Sequence, residues 1–191
     1  MKKIYNFISF ILAAPIVAIY VSIIFAFFGP EQFVNMNRIV AAFLGSLFLG
    51  VIPLTTTVML YKFKAINDVA PKKEDRPMGY VVGIMSFIFA LILFYYFDSR
   101  VMFLISLAYI VVSSVSLLVN KFSKLSVHVA GVIGPITALV YVFGLGLIPL
   151  YVLVLPVAYA RIKLKAHSLM EVLLGVIVGF SVTYLTYFIM W

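Results

Sequence analysis

Long apolar runs, each near the length of a bilayer crossing, leave this chain little freedom over its fold. A helix needs roughly 20 apolar residues to cross the hydrocarbon core, with a working range of about 17 to 25. Candidate stretches are 4–28, 39–61, 79–97, 101–119, 127–143, 146–160 and 168–190. An open sheet edge in lipid would strand backbone N–H and C=O groups, so all of them are expected to be helices. The expected fold is all-α: a polytopic transmembrane helix bundle of about six to seven spans, forming one integral membrane domain over residues 1–191. The sixth stretch is short, and Pro149 and Pro156 are expected to kink it or break its hydrogen-bond ladder. Gly144 and Gly146 mark the turn before it. Met1-Lys2-Lys3 opens like a signal peptide. The apolar run that follows continues to Phe28, too long for such a segment, and reads as a retained first span.

Composition agrees. The chain has 191 residues, 65% hydrophobic and 10% charged, where a soluble domain carries about 25% charged residues. No cysteine is present, which excludes disulfides and thiolate metal sites. The net charge of +8 does not point to nucleic acid, because the basic residues lie in short loops beside apolar runs. Membrane topology and anionic headgroups account for them better. Two pairs, Gly79/Gly83 and Gly175/Gly179, have the spacing that lets helices approach closely.

Seven spans place loops 62–78, 120–126 and 161–167 on the same side as the N-terminus. Twelve of the fourteen Lys and Arg residues lie there, and only Arg38 and Arg100 lie opposite. The positive-inside rule then puts the N-terminus and all three loops in the cytoplasm of a multi-pass cell-membrane protein.

Those three loops are also the chain's polar islands. The first, Asp68–Pro77, contains Lys72, Lys73 and Arg76. The arginine fork suits two phosphate oxygens, and a lysine adds a point charge. The second, Asn120–His128, opens the fifth span with Ser126 and His128. A helix N-terminus offers free N–H groups to an anion, and an imidazole one turn in can give a proton to a leaving oxygen. The third, Ala160–Glu171, holds Arg161, His167 and Glu171. His167 and Glu171 are four apart on one helical face, so the carboxylate can orient the ring and leave its other nitrogen free to attack. Each island taken singly has an ordinary reading: a solvated topogenic loop, an N-cap serine, an acid answering a helix dipole. Together they hold both histidines of the chain and the inventory for metal-free phosphoryl transfer: a nucleophile, its orienter, an acid and cations.

The islands resemble the three signatures of the type 2 phosphatidic acid phosphatase superfamily, which includes lipid phosphate phosphatases and is structurally related to vanadium haloperoxidases. The pattern K-x-x-x-x-x-x-R-P appears as Arg76-Pro77. P-S-G-H appears as Ser126-Val127-His128. S-R-x-x-x-x-x-H-x-x-x-D appears as Arg161, His167 and Glu171 at the same spacing. The likeness covers roughly 62–180, so residues 1–61 contribute two spans without a signature and 62–191 the phosphatase-like core. The resemblance implies that His167 attacks phosphorus and becomes phosphohistidine. His128 then protonates the leaving group, and Arg76, Arg161, Ser126 and Lys72 or Lys73 bind phosphate. No metal or other cofactor is expected. The substrate would be an isoprenoid or glycerophospholipid phosphate. Membrane lipids are the remaining partners, nucleic acid is not one, and a homo-oligomer stays open.

The chain departs from the pattern at five places. Val69 stands where the family has its lysine, Leu125 and Val127 replace the Pro and Gly, and Ala160 and Glu171 replace the Ser and Asp. Valine has little access to positive φ, so the Gly-to-Val change is expected to move the phosphate-binding amides. These departures support a second reading: a catalytically reduced or inactive member that binds lipid phosphate or scaffolds a membrane partner. A transporter is the third reading, but no charge lies near the centre of a span.

Overall fold

The structure, a computed structural model, describes the main chain of residues 2–30, 36–63, 74 and 76–191, and the side chains of all these except 60–63. Every regular element among them is helical: α1 (Lys2–Ile11), α2 (Ala14–Phe28), α3 (Arg38–Gly45), α4 (Ile52–Phe63), α5 (Arg76–Tyr96), α6 (Arg100–Val119), α7 (Val127–Phe143), α8 (Val154–Lys163) and α9 (Leu169–Met190). Segments Arg38–Met59, Arg76–Tyr96, Arg100–Val119, Leu145–Lys163 and Leu169–Met190 are each long and apolar enough to cross a membrane, and α1 with α2 makes a sixth if counted as one bent span. The molecule is a multi-pass membrane protein. Its outer face is apolar, with Phe43, Phe89, Ile92, Leu155, Ile177 and Phe188 all exposed, as lipid-facing residues should be.

Three of the expected spans are not plain α-helices, and each irregularity accompanies a proline. The run 4–28 is not one helix: α1 and α2 meet at a 42° bend. Pro15 sits in the first turn of α2, and its ring would strike the carbonyl of the residue four before it, Ile11, where α1 stops. In the second span, residues Ser46–Val51 wind as a π-helix between α3 and α4, directly ahead of Pro53. The sixth span is not broken. Leu145–Leu153 winds as a 3₁₀-helix that accommodates Pro149 and runs into α8.

α7 occupies the centre. All eleven residues from Val129 to Leu139 are buried, the pattern of a helix surrounded on every side. At 17 residues it is shorter than the helices of span length. α9 packs along it through Gly175 and Gly179. A Cβ on Gly179 would lie 2.8 Å from both the Cα and the carbonyl oxygen of Ala130, and one on Gly175 would lie 2.6 Å from the carbonyl oxygen of Ser126. On the other side Gly131 meets α2, where an added Cβ would come within 2.1 Å of the Ala14 Cβ. The other pair behaves differently. Among the described residues, a Cβ on Gly83 would meet only the Phe87 ring of its own helix, at 3.6 Å, so Gly83 lines open space instead of closing a helix contact.

Candidate functional site

The site begins with a turn. α8 ends at Lys163, and Lys165 takes a left-handed conformation, φ 54°. Lys165 donates its N–H to the Ile162 carbonyl at 2.9 Å, and Ala166 donates to the Arg161 carbonyl at 3.0 Å. This is the Schellman pattern, here with lysine where glycine is usual. His167 also directs its N–H to the Arg161 carbonyl, at 3.3 Å. The six-residue separation of Arg161 and His167 is therefore a helix cap: the turn folds the chain back so that both side chains face one region. Ser168 then caps α9 in a reciprocal box with Glu171.

Three successive residues of the second island tie the other two to it. Lys124 offers its carbonyl to the His167 ring, whose Nδ1 lies 3.0 Å away. The Leu125 carbonyl accepts from Arg76 Nη1 at 3.1 Å. Ser126 donates its N–H to the Glu171 carbonyl at 2.9 Å. Arg76, Arg161 and His167 are all buried, at 9%, 4% and 6% exposure, and these contacts satisfy Arg76 Nη1 and His167 Nδ1, as burial demands of polar atoms.

His167 Nδ1 has two oxygens around it, that of Lys124 and Oε2 of Glu171, each at 3.0 Å. Carbonyl and carboxylate oxygens only accept, so Nδ1 carries the hydrogen and the neutral ring keeps its lone pair on Nε2. Burial lowers the His167 pKa to about 4, the Arg161 and Arg76 guanidiniums push the same way, and Glu171 opposes them. The imidazole is therefore neutral at physiological pH.

Arg76, His128, Arg161 and His167 line one cavity of about 270 Å³. His128, in the first turn of α7, lies within electrostatic reach of Arg161, His167 and Arg76. Two guanidiniums beside two imidazoles make this end of the cavity an anion-binding environment. Among the described residues no three His, Cys, Asp or Glu side chains gather as a metal site.

Not every expected site residue lines the cavity. Glu171 lies behind His167. Ser126 is fully buried at the N-cap position of α7, yet makes no side-chain cap bond, and among the described residues its hydroxyl has no hydrogen-bond partner. Lys72 and Lys73 lie outside the described residues. Val127 is the first residue of α7, and Asp98 and Lys165 are the non-glycine residues with positive φ among those described. Position 127 therefore needs no glycine conformation here.

Sequence reasoning missed most of the wall. Beyond Arg76, α5 contributes Gly79, Tyr80, Gly83 and Phe87, and α6 contributes Tyr109, Val112, Ser113 and Ser116. Both sets follow the i, i+3, i+4, i+7 spacing of one helical face, so the register of Arg76 was a usable signal on α5. No family model, curated protein or solved structure matches the chain.

Proposed function

We propose that the chain is a metal-independent phosphohydrolase of a membrane lipid phosphate or diphosphate, working through a phosphohistidine. One observation carries the proposal: His167, with its Nδ1–H held by Glu171 and Lys124, lines the same cavity as Arg76, Arg161 and His128. Arg76 and Arg161 bind the phosphate oxygens, and the α7 amides add donors where the helix lacks internal acceptors. Nε2 of His167 attacks phosphorus, the bond from phosphorus to the leaving oxygen breaks, and His128 gives that oxygen its proton. Water then attacks the phosphohistidine, the P–N bond breaks, and the water proton returns to His128. Glu171 holds the ring through both steps and neutralises the imidazolium charge.

The resemblance to the type 2 phosphatidic acid phosphatase signatures supports the same reading, with the phosphatase-like core in residues 62–191 and an isoprenoid or glycerophospholipid phosphate as substrate. We place the site and the N-terminus on the cytoplasmic face of the cell membrane. In support, the two basic residues outside the N-terminus and the motif loops sit at the far ends of helices. Arg38 reaches the Phe27 carbonyl at the end of α2, and Arg100 packs on the Trp191 ring past the end of α9.

The test is phosphate release from a lipid phosphate by purified protein in EDTA, with trapping of the phosphoenzyme. Release and label are both expected, and both should vanish in His167→Ala. Full activity in that variant would remove His167 from the mechanism. A second reading, a binder without turnover, is favoured by the bond from Arg76 to the Leu125 carbonyl, which commits one phosphate-binding donor to the main chain. Saturable binding of lipid phosphate without release would select it.

A further inference from the structure

The charged end is a small part of the cavity. Along α5 its wall runs from Arg76 past Gly83 to Phe87, and along α6 from Ser116 to Ile105. Eleven residues separate the ends of each wall, about 16 Å of helix at a rise of about 1.5 Å per residue. Below the arginines and histidines the lining is mostly apolar, so the hollow is a slot leading from an anion site at the bilayer boundary toward the hydrocarbon core. Its volume of about 270 Å³ is less than twice that of an apolar cavity of ~150 Å³ that holds one benzene. That is room for one narrow hydrocarbon chain.

Resting on the phosphohydrolase reading for the identity of the headgroup, we propose that the site takes phosphate esters bearing a single hydrocarbon chain. The tail lies along the faces of α5 and α6, in a space that α2, α4 and α7 also enclose, and Gly83 sets how deep it reaches. Gly83 is buried within the wall, and among the described residues a Cβ there finds nothing nearer than Phe87 at 3.6 Å. A larger side chain at this position projects into the space the tail would fill. A two-chain phosphate would have to leave one chain in the surrounding lipid and gain nothing from the slot for it.

The experiment uses the full chain in lipid nanodiscs. The probes are n-octyl, n-dodecyl and n-hexadecyl phosphate and a diacylglycerol phosphate. Thermal unfolding reports binding and inorganic phosphate reports turnover, for the natural protein, Gly83→Ala and Gly83→Leu. Single-chain phosphates should raise the unfolding temperature more than the diacyl compound, and increasingly with chain length. Gly83→Leu should cut the preference for n-hexadecyl over n-octyl phosphate about tenfold, equivalent to the burial of roughly two methylenes. Gly83→Ala should keep most of that preference and serves as the folding control. Length-dependent stabilisation without phosphate release would support the slot and sink the hydrolase reading. Phosphate release that is equally fast from the diacyl compound, with a length profile unmoved in Gly83→Leu, would overturn the slot and leave the hydrolase reading standing. If Gly83→Leu does not fold, equal stabilisation by single-chain and diacyl phosphates in the natural protein overturns the proposal by itself.

Discussion

Ser126 gives its main-chain N–H to the carbonyl oxygen of Glu171 across 2.9 Å, joining the start of α7 to the first turn of α9. This bond links two of the three polar islands through backbone alone. With Glu171 and Lys124 both on the His167 ring, the imidazole is clamped between the two helices it helps to bridge. Where that ring sits therefore depends on how closely α7 and α9 approach.

Gly175 controls that approach. A methyl there would stand 2.6 Å from the Ser126 carbonyl oxygen, a main-chain atom that cannot swing aside. Gly175→Ala should destabilise the protein by about 1–3 kcal/mol, the usual range for overpacking, and should lower activity by more than the lost folded fraction explains. Thermal unfolding and phosphate release on the same preparation check this. An unchanged unfolding temperature would mean that the helices part freely.

Among the described residues the buried Ser126 hydroxyl has no partner, so removing it breaks no bond to them. Ser126→Ala should hold or raise stability, because an unpaired buried hydroxyl is costly, whereas loss of a working N-cap costs about 1 kcal/mol. If the hydroxyl binds phosphate, KM rises in the same variant. Lost stability with an unchanged KM would return Ser126 to an ordinary capping role.

His167 has a pKa lowered to about 4, against about 6.5 in an unfolded chain. Between those values the unfolded state binds the extra proton and the folded state does not, so stability falls as pH drops from about 6.5 toward 4. The attacking nitrogen stays unprotonated through the same window, and the acid limb of kcat/KM for the free enzyme should inflect well below 6.5. A ring titration followed by NMR, with His128→Gln to leave one histidine, reads the value directly. A midpoint near 6.5 would contradict the buried, arginine-flanked setting.

Lys165 holds a left-handed conformation that disfavours a side chain by roughly 1–2 kcal/mol. Lys165→Gly should therefore stabilise the fold by up to about 1 kcal/mol, and Lys165→Val should destabilise it and reduce activity by displacing His167 from Arg161. Unfolding midpoints for the two variants should move in opposite directions.

Much of the framework could be read from residue types. Apolar length placed the helices in order, and the grouping of both histidines with Arg76, Arg161 and Glu171 pointed to the residues that surround the cavity end or hold His167. What stayed hidden is mostly main-chain chemistry. The carbonyls of Lys124 and Leu125 belong to residues with no recognisable site character, and nothing about lysine announces the left-handed turn at 165. The break before Pro15 was missed because hydropathy is continuous across it, while the helix ladder is not. The deep wall was missed because Gly83 and Tyr109 resemble ordinary packing residues until the two helices are set side by side.

The 3₁₀ winding of Leu145–Leu153 alters a length. A 3₁₀-helix rises about 2.0 Å per residue against about 1.5 Å in an α-helix, so the nineteen residues of Leu145–Lys163 reach about 33 Å, where uniform α winding would give about 28 Å. The stretch that read as short, 146–160, is part of this longer element, and with its tighter winding the whole matches a hydrocarbon layer of about 30 Å. Relaxation of that overwinding would draw Arg161 toward the opposite leaflet by about 4–5 Å. The winding that sets this helix's reach thus also sets the depth of one of the site's two guanidiniums.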